Sequence, residues 1–438
     1  MGPRQKWVGR VAYGAVIVAG PAWALAGAAS TTEDFEPPPD EAVTTLLPAT
    51  LAAGENYRIV DPVHSDGLMH RYAIESRYGR FDAYGRSELE LRVHEVMALN
   101  QLATISKLDV IAGGAGHRAV ADVNTVTRVA THPVRTVRLI PKGIAHLFQG
   151  YVEQGKEAAA DARQGMSGST GTDQNHRALE KAETAVRRYA ERYFGLTDAE
   201  RRWYQKLGVD PYTGNTVLRK AIHEDAQLDA TANFGARFIG VPRIAGLGIA
   251  ERALDAVDHE DPALIRARQR DTLIGYGLST QEIDRFHNTL VMSPTRQVML
   301  FNATQSLDGV AGRGELFRHA TGLTSDAEAQ VYVNSVSLLV IVHHQQPLQS
   351  VLADVRLPAA RLADGRLIVC GAFDAVSWTQ DVAEGDRQLR ESLPVDGVTA
   401  RDLYLGGSVS ARARAELEQR GWQIHENLGA TQAPAPST

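Results

Sequence analysis

Two short stretches near the end of the sequence combine small, hydroxyl-bearing and acidic residues where a predicted strand gives way to a predicted helix. Leu367 to Cys370 is an apolar run that predicts a buried strand, and Asp402 to Leu405 predicts a second strand. In open parallel sheets, ligands bind beyond the carboxyl ends of strands, where helix N-termini present free N–H groups. The sequence therefore predicts a small-ligand site at two junctions, formed by Asp374, Ser377, Thr379, Gly406, Gly407, Ser408 and Ser410.

A structural interpretation of the same residues stays open. Ser and Thr commonly cap helices, and glycine allows tight turns. The run Gly406 to Ser410 comes closest to the Gly-x-Ser-x-Gly elbow of serine hydrolases, but it lacks the final glycine. The junctions are therefore expected either to bind or hydrolyse a ligand, or only to end strands and begin helices.

Other signatures of catalysis are incomplete. Four His-Glu pairs occur, but none has a second histidine four residues after the first, as the helical zinc-protease motif requires. Gly150 to Lys156 has the spacing of a phosphate loop, but Glu157 stands where a hydroxyl must reach magnesium. Gly114 to Ala119 matches a relaxed dinucleotide fingerprint without the acidic residue expected downstream. We therefore predict no metal and no cofactor, and the sequence leans away from an enzyme without deciding the point.

The N-terminus has the layout of a secretory signal peptide. Arg4, Lys6 and Arg10 precede an apolar stretch from Val11 to Ala26, and small residues at cleavage spacing end at Ala26 or Ala28. An uncleaved anchor is the alternative, although so short an apolar stretch spans a bilayer poorly. The sequence predicts an exported protein, periplasmic or secreted.

Composition limits the partners of the exported chain. The single cysteine, Cys370, allows no intramolecular disulfide, so stability must come from buried apolar surface, which a hydrophobic content of 44% can supply. Removing the leader leaves 43 basic residues against 52 acidic ones, a formal charge of −9. An acidic protein gains little from a phosphate backbone, so nucleic acid is excluded as an expected partner.

The predicted fold class is α+β: a mainly helical body with an N-terminal β-hairpin, then a small C-terminal α/β module with parallel strands. His70 to Ser76 and Phe81 to Tyr84 flank Tyr78-Gly79 with partly alternating polarity, which indicates the hairpin. Parallel pairing is expected in the module because helices separate its strands. The predicted divisions are a signal peptide (1–28), a flexible linker (29–56), the helical domain (57–346), the α/β module (347–428) and a disordered tail (429–438).

The stretch from Thr231 to Leu254 sets four glycines among large apolar residues. Small residues at such spacing let helices approach closely, either in a protein core or in a membrane. Close helix packing is the expected interpretation, and peripheral membrane contact is the alternative.

Several segments resemble those of an uncharacterised family of exported bacterial proteins. They are Pro133 to Val137, Pro141 to Gly143, Gly208 to Tyr212, and Trp378-Thr379. The resemblance would cover most of the mature chain. It implies export and a shared fold, and it brings no catalytic residues.

These observations favour a general function but do not define a chemical reaction. The leading hypothesis is a non-catalytic envelope or secreted protein that binds a partner protein or acts as a scaffold. The alternatives are a small-ligand-binding protein or hydrolase that uses the C-terminal junctions, and a peripheral membrane-associated protein. The oligomeric state stays open.

Overall fold

A computed structural model describes residues 35–112, 195–228 and 260–429, with isolated helical residues between 184 and 257. The predicted signal peptide, the tail from residue 430, the glycine-rich stretch Thr231–Leu254 and the resembling segments between Pro133 and Gly143 lie outside the described residues. Those predictions therefore stay predictions.

The first part of the fold is a six-stranded antiparallel sheet. Its strands are β1 (Asp40–Glu41), β2 (Ala53–Gly54), β3 (Tyr57–Ile59), β4 (Val63–Ser65), β5 (His70–Ser76) and β6 (Gly79–Tyr84). The predicted hairpin is the pair β5–β6, but β1, β2, β3 and β4 extend it in the order β1-β4-β5-β3-β2. The prediction of a lone N-terminal hairpin is therefore wrong, because strands of two or three residues have no period that a sequence reveals.

The segment expected to be a flexible linker contains regular structure in its described part, residues 35–56. It contains β1, β2 and two short helices, α1 (Val43–Leu46) and α2 (Ala49–Ala52). Val43 is buried, and its N–H donates to the Asp61 carboxylate at 2.7 Å. The acidic, proline-rich composition predicted a mobile spacer, but apolar anchors and backbone pairing with β4 fix this segment in place.

Ten further helices are described, and several begin at residues that the sequence marks as caps. They are α3 (Arg86–Ala112), α4 (Asp198–Leu207), α5 (Thr216–Leu228), α6 (Pro262–Gly275), α7 (Thr280–His287), α8 (Pro294–Gln305), α9 (Glu315–Ala320), α10 (Asp326–Gln345), α11 (Gln380–Ser392) and α12 (Ala411–Gln419). Ser293 caps α8, and Gly208 ends α4 in the left-handed conformation. None of the helices in the described ranges is long and apolar enough to cross a membrane.

The C-terminal sheet is mixed. Its strands are β7 (Leu348–Val351), β8 (Ala359–Leu362), β9 (Leu367–Gly371), β11 (Arg401–Leu405) and β13 (Trp422–His425), in the order β13-β11-β9-β8-β7. The predicted strands β9, β11 and β13 pair in parallel, whereas β7 and β8 pair antiparallel. The prediction of a purely parallel module is wrong, because β7, β8 and β9 are joined by short loops that can only reverse the chain.

Apolar side chains form two clusters. One packs helices α7 to α10 against a face of the C-terminal sheet that includes Ile368, Cys370 and Tyr404. The other packs the N-terminal sheet against α3, α4 and α5, and includes Ile74 and Leu89. Hydrogen bonds join the start of β5 to the C-terminal sheet, and they include the predicted site residues Asp374 and Ser377.

Candidate functional site

The two predicted junctions meet in the structure. Beyond β9 and β11 the chain forms a short parallel pair, β10 (Ala375–Val376) and β12 (Ser408–Val409). Gly407 is required there, since a Cβ atom would lie 1.9 Å from the carbonyl oxygen of Asp374. The Ser408 N–H donates to the same oxygen at 3.3 Å. The predicted site residues are thus brought together beyond the carboxyl ends of two parallel strands.

Two of the hydroxyl groups cap helices. Thr379 Oγ1 accepts from the Val382 N–H at 3.3 Å and begins α11. Ser410 Oγ accepts from the Ala413 N–H at 3.0 Å and begins α12. Ser408 is exposed beside them. For Thr379 and Ser410, capping is therefore the observed role.

Two other predicted residues act through their backbones. Ser377 is buried, and its N–H donates to the Gly67 carbonyl at 2.9 Å. The Gly406 N–H donates to the Gly371 carbonyl at 3.0 Å. These bonds hold the junction to the rest of the fold.

A carboxylate from far upstream lies between the two helix N-termini. The Glu36 carboxylate accepts from the Trp378 N–H and from the Ser410 hydroxyl, the latter at 2.6 Å. The Glu36 N–H also donates to the Trp378 carbonyl at 2.8 Å. Helix N-termini carry partial positive charge and unpaired N–H groups, so they stabilise an anion. We name residues Glu36–Glu41 the strap, because they run from this junction to β1.

Asp374 joins the C-terminal sheet to the N-terminal one. Its carboxylate accepts from the backbone N–H groups of His70 and Arg86, both at 3.1 Å. Its own N–H donates to the Leu68 carbonyl at 3.0 Å. The Asp374 side chain is only 12% exposed, so water screens these bonds weakly.

His70 lies between two carboxylates. Its Nε2 is 3.0 Å from Glu41 Oε1 in the strap, and its Nδ1 is 3.4 Å from Asp374 Oδ2. Burial opposes protonation of the imidazole, but the hydrogen bonds and charges of Asp374 and Glu41 outweigh it and raise the pKa of His70. We name Glu36, Glu41, His70 and Asp374 the carboxylate clamp.

The carboxylate clamp places its own anion, the Glu36 carboxylate, at two helix N-termini, and it can take up or release a proton at His70. A neighbouring pair, Asp40 and His64, joins the strap to β4 at 2.6 Å but is exposed. The described ranges contain no group of three or more His, Cys, Asp or Glu residues placed to hold a metal ion. Cys370 is buried in β9, and burial raises the pKa of its thiol.

Sequence reasoning missed three members of the clamp. Glu36 and Glu41 lie in an acidic, proline-rich run whose composition indicates a spacer, and His70 begins a strand without any metal or catalytic spacing. The only signal in the sequence is that Glu41 shortly precedes the apolar Val43 and Leu47. That signal does not identify a partner.

One of the segments that carry the family resemblance, Gly208 to Tyr212, contributes to a separate cluster of hydrogen bonds. Asp210 accepts from the Thr295 hydroxyl at 2.6 Å and from the Tyr212 N–H at 2.9 Å, and burial raises its pKa. Close by, the buried Glu95 accepts from the Asn215 side chain at 2.9 Å. The loop between α4 and α5 therefore links α3 to α8, which is a structural role.

Comparison of the chain with protein-family models, with curated proteins and with solved structures finds no match.

We expect the stability of the protein to fall as the pH rises above neutrality, because of His70. A folded-state pKa above the unfolded value of 6.5 means that the stabilisation by His70 is complete below pH 6.5 and is lost as the pH rises through the folded pKa. Urea unfolding at pH 6 and pH 8.5 should show this loss in the wild type and a smaller loss in His70→Gln.

His64→Gln is the matched control, since it removes an exposed imidazole from the same sheet. It should keep the wild-type difference between the two pH values, because exposed ion pairs contribute little. An equal pH dependence in His70→Gln and the wild type would contradict the assigned role of His70.

Proposed function

We propose that the protein is an exported, non-catalytic binding or scaffold protein of the cell envelope that acts through a partner protein. The observation that supports this proposal most directly is the position of Glu36. Its carboxylate takes the Trp378 N–H and the Ser410 hydroxyl, which an external anionic ligand would need at the C-terminal junction. The protein's own strap therefore occupies the position at which sheets of this kind usually bind small ligands.

A free anion competes poorly with the Glu36 carboxylate for the donors at the C-terminal junction. A group tethered to the same chain acts at an effective concentration on the order of millimolar or more. The further bonds of the strap, from Glu41 to His70 and from β1 to β4, hold Glu36 in place as well. A small anion at micromolar concentration is therefore expected to leave Glu36 in position.

Export is part of the proposal and rests on the N-terminal sequence. The basic and apolar parts of the predicted leader end only a few residues before Glu36. Cleavage after Ala26 or Ala28 would leave the strap near the new N-terminus, and the strap leads directly into the N-terminal sheet. We propose a periplasmic or secreted location.

A second candidate function uses the same junction. Ser408 is exposed beside the carbonyl of Asp374, which supports a small-ligand-binding protein or hydrolase if the strap can be displaced. A third, peripheral membrane association through Thr231–Leu254, stays a proposal from the sequence alone. It predicts sedimentation with liposomes that weakens when Phe238 and Ile239 are changed to Asp.

The leading proposal predicts a stable protein partner. Chemical crosslinking of the tagged mature protein in intact cells, followed by purification from envelope extract, should recover one partner in near-stoichiometric amount. An unrelated exported protein with the same tag is the control. Recovery of no crosslinked partner above that control would contradict the proposed function.

The internal role of Glu36 predicts rescue by a small carboxylate. In Glu36→Ala, the Trp378 N–H and Ser410 hydroxyl lose their partner, so acetate should raise the melting temperature of this variant more than that of the wild type. Ser410→Ala in the Glu36→Ala background should remove most of the difference, and Asp396→Ala, which removes an exposed acid, should show no rescue. Strong stabilisation of the wild type by acetate, lost in Ser408→Ala or Ser410→Ala, would instead favour the ligand-binding or hydrolase candidate.

A further inference from the structure

The strap is held by hydrogen bonds and ion pairs without a buried apolar anchor. All six of its residues are described, and each is either exposed or half-buried. The first buried apolar side chain after it is Val43. Segments with few buried contacts open locally at the lowest cost in free energy. The strap can therefore detach about Ala42, which is exposed, without unfolding either apolar cluster.

The two sheets stay joined when the strap detaches. The Asp374 carboxylate bonds to the backbone N–H groups of His70 and Arg86, and the Leu68 carbonyl accepts from the N–H groups of Asp374 and Ala375. None of these bonds involves a strap residue. Opening therefore uncovers the residues that contact the strap and leaves the fold in place. We name these residues the strap-binding surface: His64, Ser65, His70, Trp378 and Ser410.

The end of this surface at Trp378 recognises a glutamate within a peptide. The Trp378 carbonyl accepts from the Glu36 backbone N–H at 2.8 Å, while the Trp378 N–H donates to the Glu36 carboxylate. The Ser410 hydroxyl donates to the same carboxylate at 2.6 Å. A free carboxylate such as acetate satisfies only the two donors and leaves the Trp378 carbonyl without its N–H partner. The contacts therefore select an amino-acid residue over a small anion.

The rest of the surface recognises extended backbone. The Pro39 carbonyl accepts from the Ser65 N–H at 2.9 Å, and β1 pairs antiparallel with β4. Pro37, Pro38 and Pro39 lack an N–H group, so they leave no donor unpaired, and they favour an extended conformation before binding. Peptides that add a strand to a sheet edge bind through the same kind of main-chain hydrogen bonds. The bound strap therefore shows the type of backbone that this surface accepts.

Two histidines complement the acids of the strap. His64 Nδ1 is 2.6 Å from Asp40 Oδ1, and His70 Nε2 is 3.0 Å from Glu41 Oε1. An imidazole N–H can donate to a carboxylate, and such hydrogen bonds to a charged group are stronger than neutral ones. The surface therefore favours acidic side chains at both positions.

Three carboxylates border the strap-binding surface, and each has a partner that does not belong to the strap. Asp61 accepts from the Val43 N–H, Asp374 from two backbone N–H groups, and Glu426 from Arg414. They therefore do not replace the strap as acceptors when it detaches. The strap places its own three acids beside them, so their charge is compatible with an acidic occupant.

We propose that the strap is autoinhibitory and that the strap-binding surface binds an acidic, extended segment of the partner protein, in which a glutamate precedes one or more prolines. The partner's segment displaces the strap and forms the same hydrogen bonds in its place. Because only molecules with a detached strap can bind, weakening the strap raises the apparent affinity for the partner. This inference rests on the proposed binding function and names the part of the partner that is recognised.

The test is a titration of the full mature chain with a fluorescent peptide of the strap sequence, Phe35 to Ala42, followed by fluorescence anisotropy. Glu36→Ala should bind this peptide about ten-fold more tightly than the wild type, because the protein's own strap loses its bonds at the junction. Adding Ser410→Ala to Glu36→Ala should weaken the binding about five-fold, since the glutamate of the peptide then loses one donor.

A second variant keeps the test independent of folding. The Asp40 side chain is 58% exposed, so the fold should persist in Asp40→Asn, and loss of its pairing with His64 should tighten peptide binding about two-fold. Asp396→Ala removes an exposed acid outside the strap and should bind the peptide as the wild type does.

Several results would overturn the proposal. They are equal peptide affinity of the wild type and Glu36→Ala, equal binding of a peptide with glutamine in place of its first glutamate, and displacement of the peptide by acetate at equal concentration. Sedimentation velocity tests the remaining occupant, a second copy of the chain. A wild-type dimer that dissociates in Glu36→Ala would assign the surface to the strap of that second copy instead of a partner protein.

The crosslinking experiment separates this inference from the proposed function. Higher recovery of the crosslinked partner with Glu36→Ala than with the wild type, lowered again by Ser410→Ala, would support both. A partner recovered equally with all three chains would overturn the role of the strap and leave the binding function standing. Absence of any partner in the wild type would overturn the proposed function itself.

Discussion

The carboxylate of Glu36 is the constraint on which the arrangement of the two sheets depends. It bonds to Trp378 and Ser410, which lie 342 and 374 positions further along the chain. The N-termini of α11 and α12 offer donors that need an acceptor, and a buried donor without one costs about 1 to 3 kcal/mol. Because the strap supplies that acceptor, the C-terminal junction is completed by residues from the opposite end of the chain.

The other members of the carboxylate clamp extend this link. Asp374 accepts two backbone N–H groups from the start of β5 and the start of α3, and His70 connects Asp374 to Glu41 in the strap. Charges removed from water need hydrogen bonds or opposite charges. Glu36 accepts two hydrogen bonds from neutral donors, whereas Glu41 and Asp374 lie on either side of His70. The result is a continuous polar connection between the N-terminal sheet and the C-terminal sheet, in a fold otherwise held by two apolar clusters.

The parts of this fold that the sequence predicts are those whose signals are local. The strands β9, β11 and β13 and the caps Thr379 and Ser410 follow from apolar runs and capping residues, and the grouping of the junction residues follows from parallel pairing. The short strands β1 to β4 have too few residues to show a period. The role of Glu36 could not be predicted, because its partners are fixed only when the whole chain has folded.

Local signals also explain why the sequence predicted an external ligand at the junction, where the structure has the Glu36 carboxylate. Residue types at the junction predict a ligand position beside helix N-termini, but they do not say whether the occupant is external or belongs to the chain.

The most direct test of this account is a double-mutant cycle between Glu36 and Ser410. Urea unfolding of Glu36→Ala, Ser410→Ala and the double variant should give a coupling free energy of about 0.5 to 3 kcal/mol, as for residues in direct contact. Glu418→Ala, an exposed acid in the helix that Ser410 caps, should show additive effects with Ser410→Ala. Additivity of Glu36→Ala and Ser410→Ala within about 0.3 kcal/mol would contradict the account.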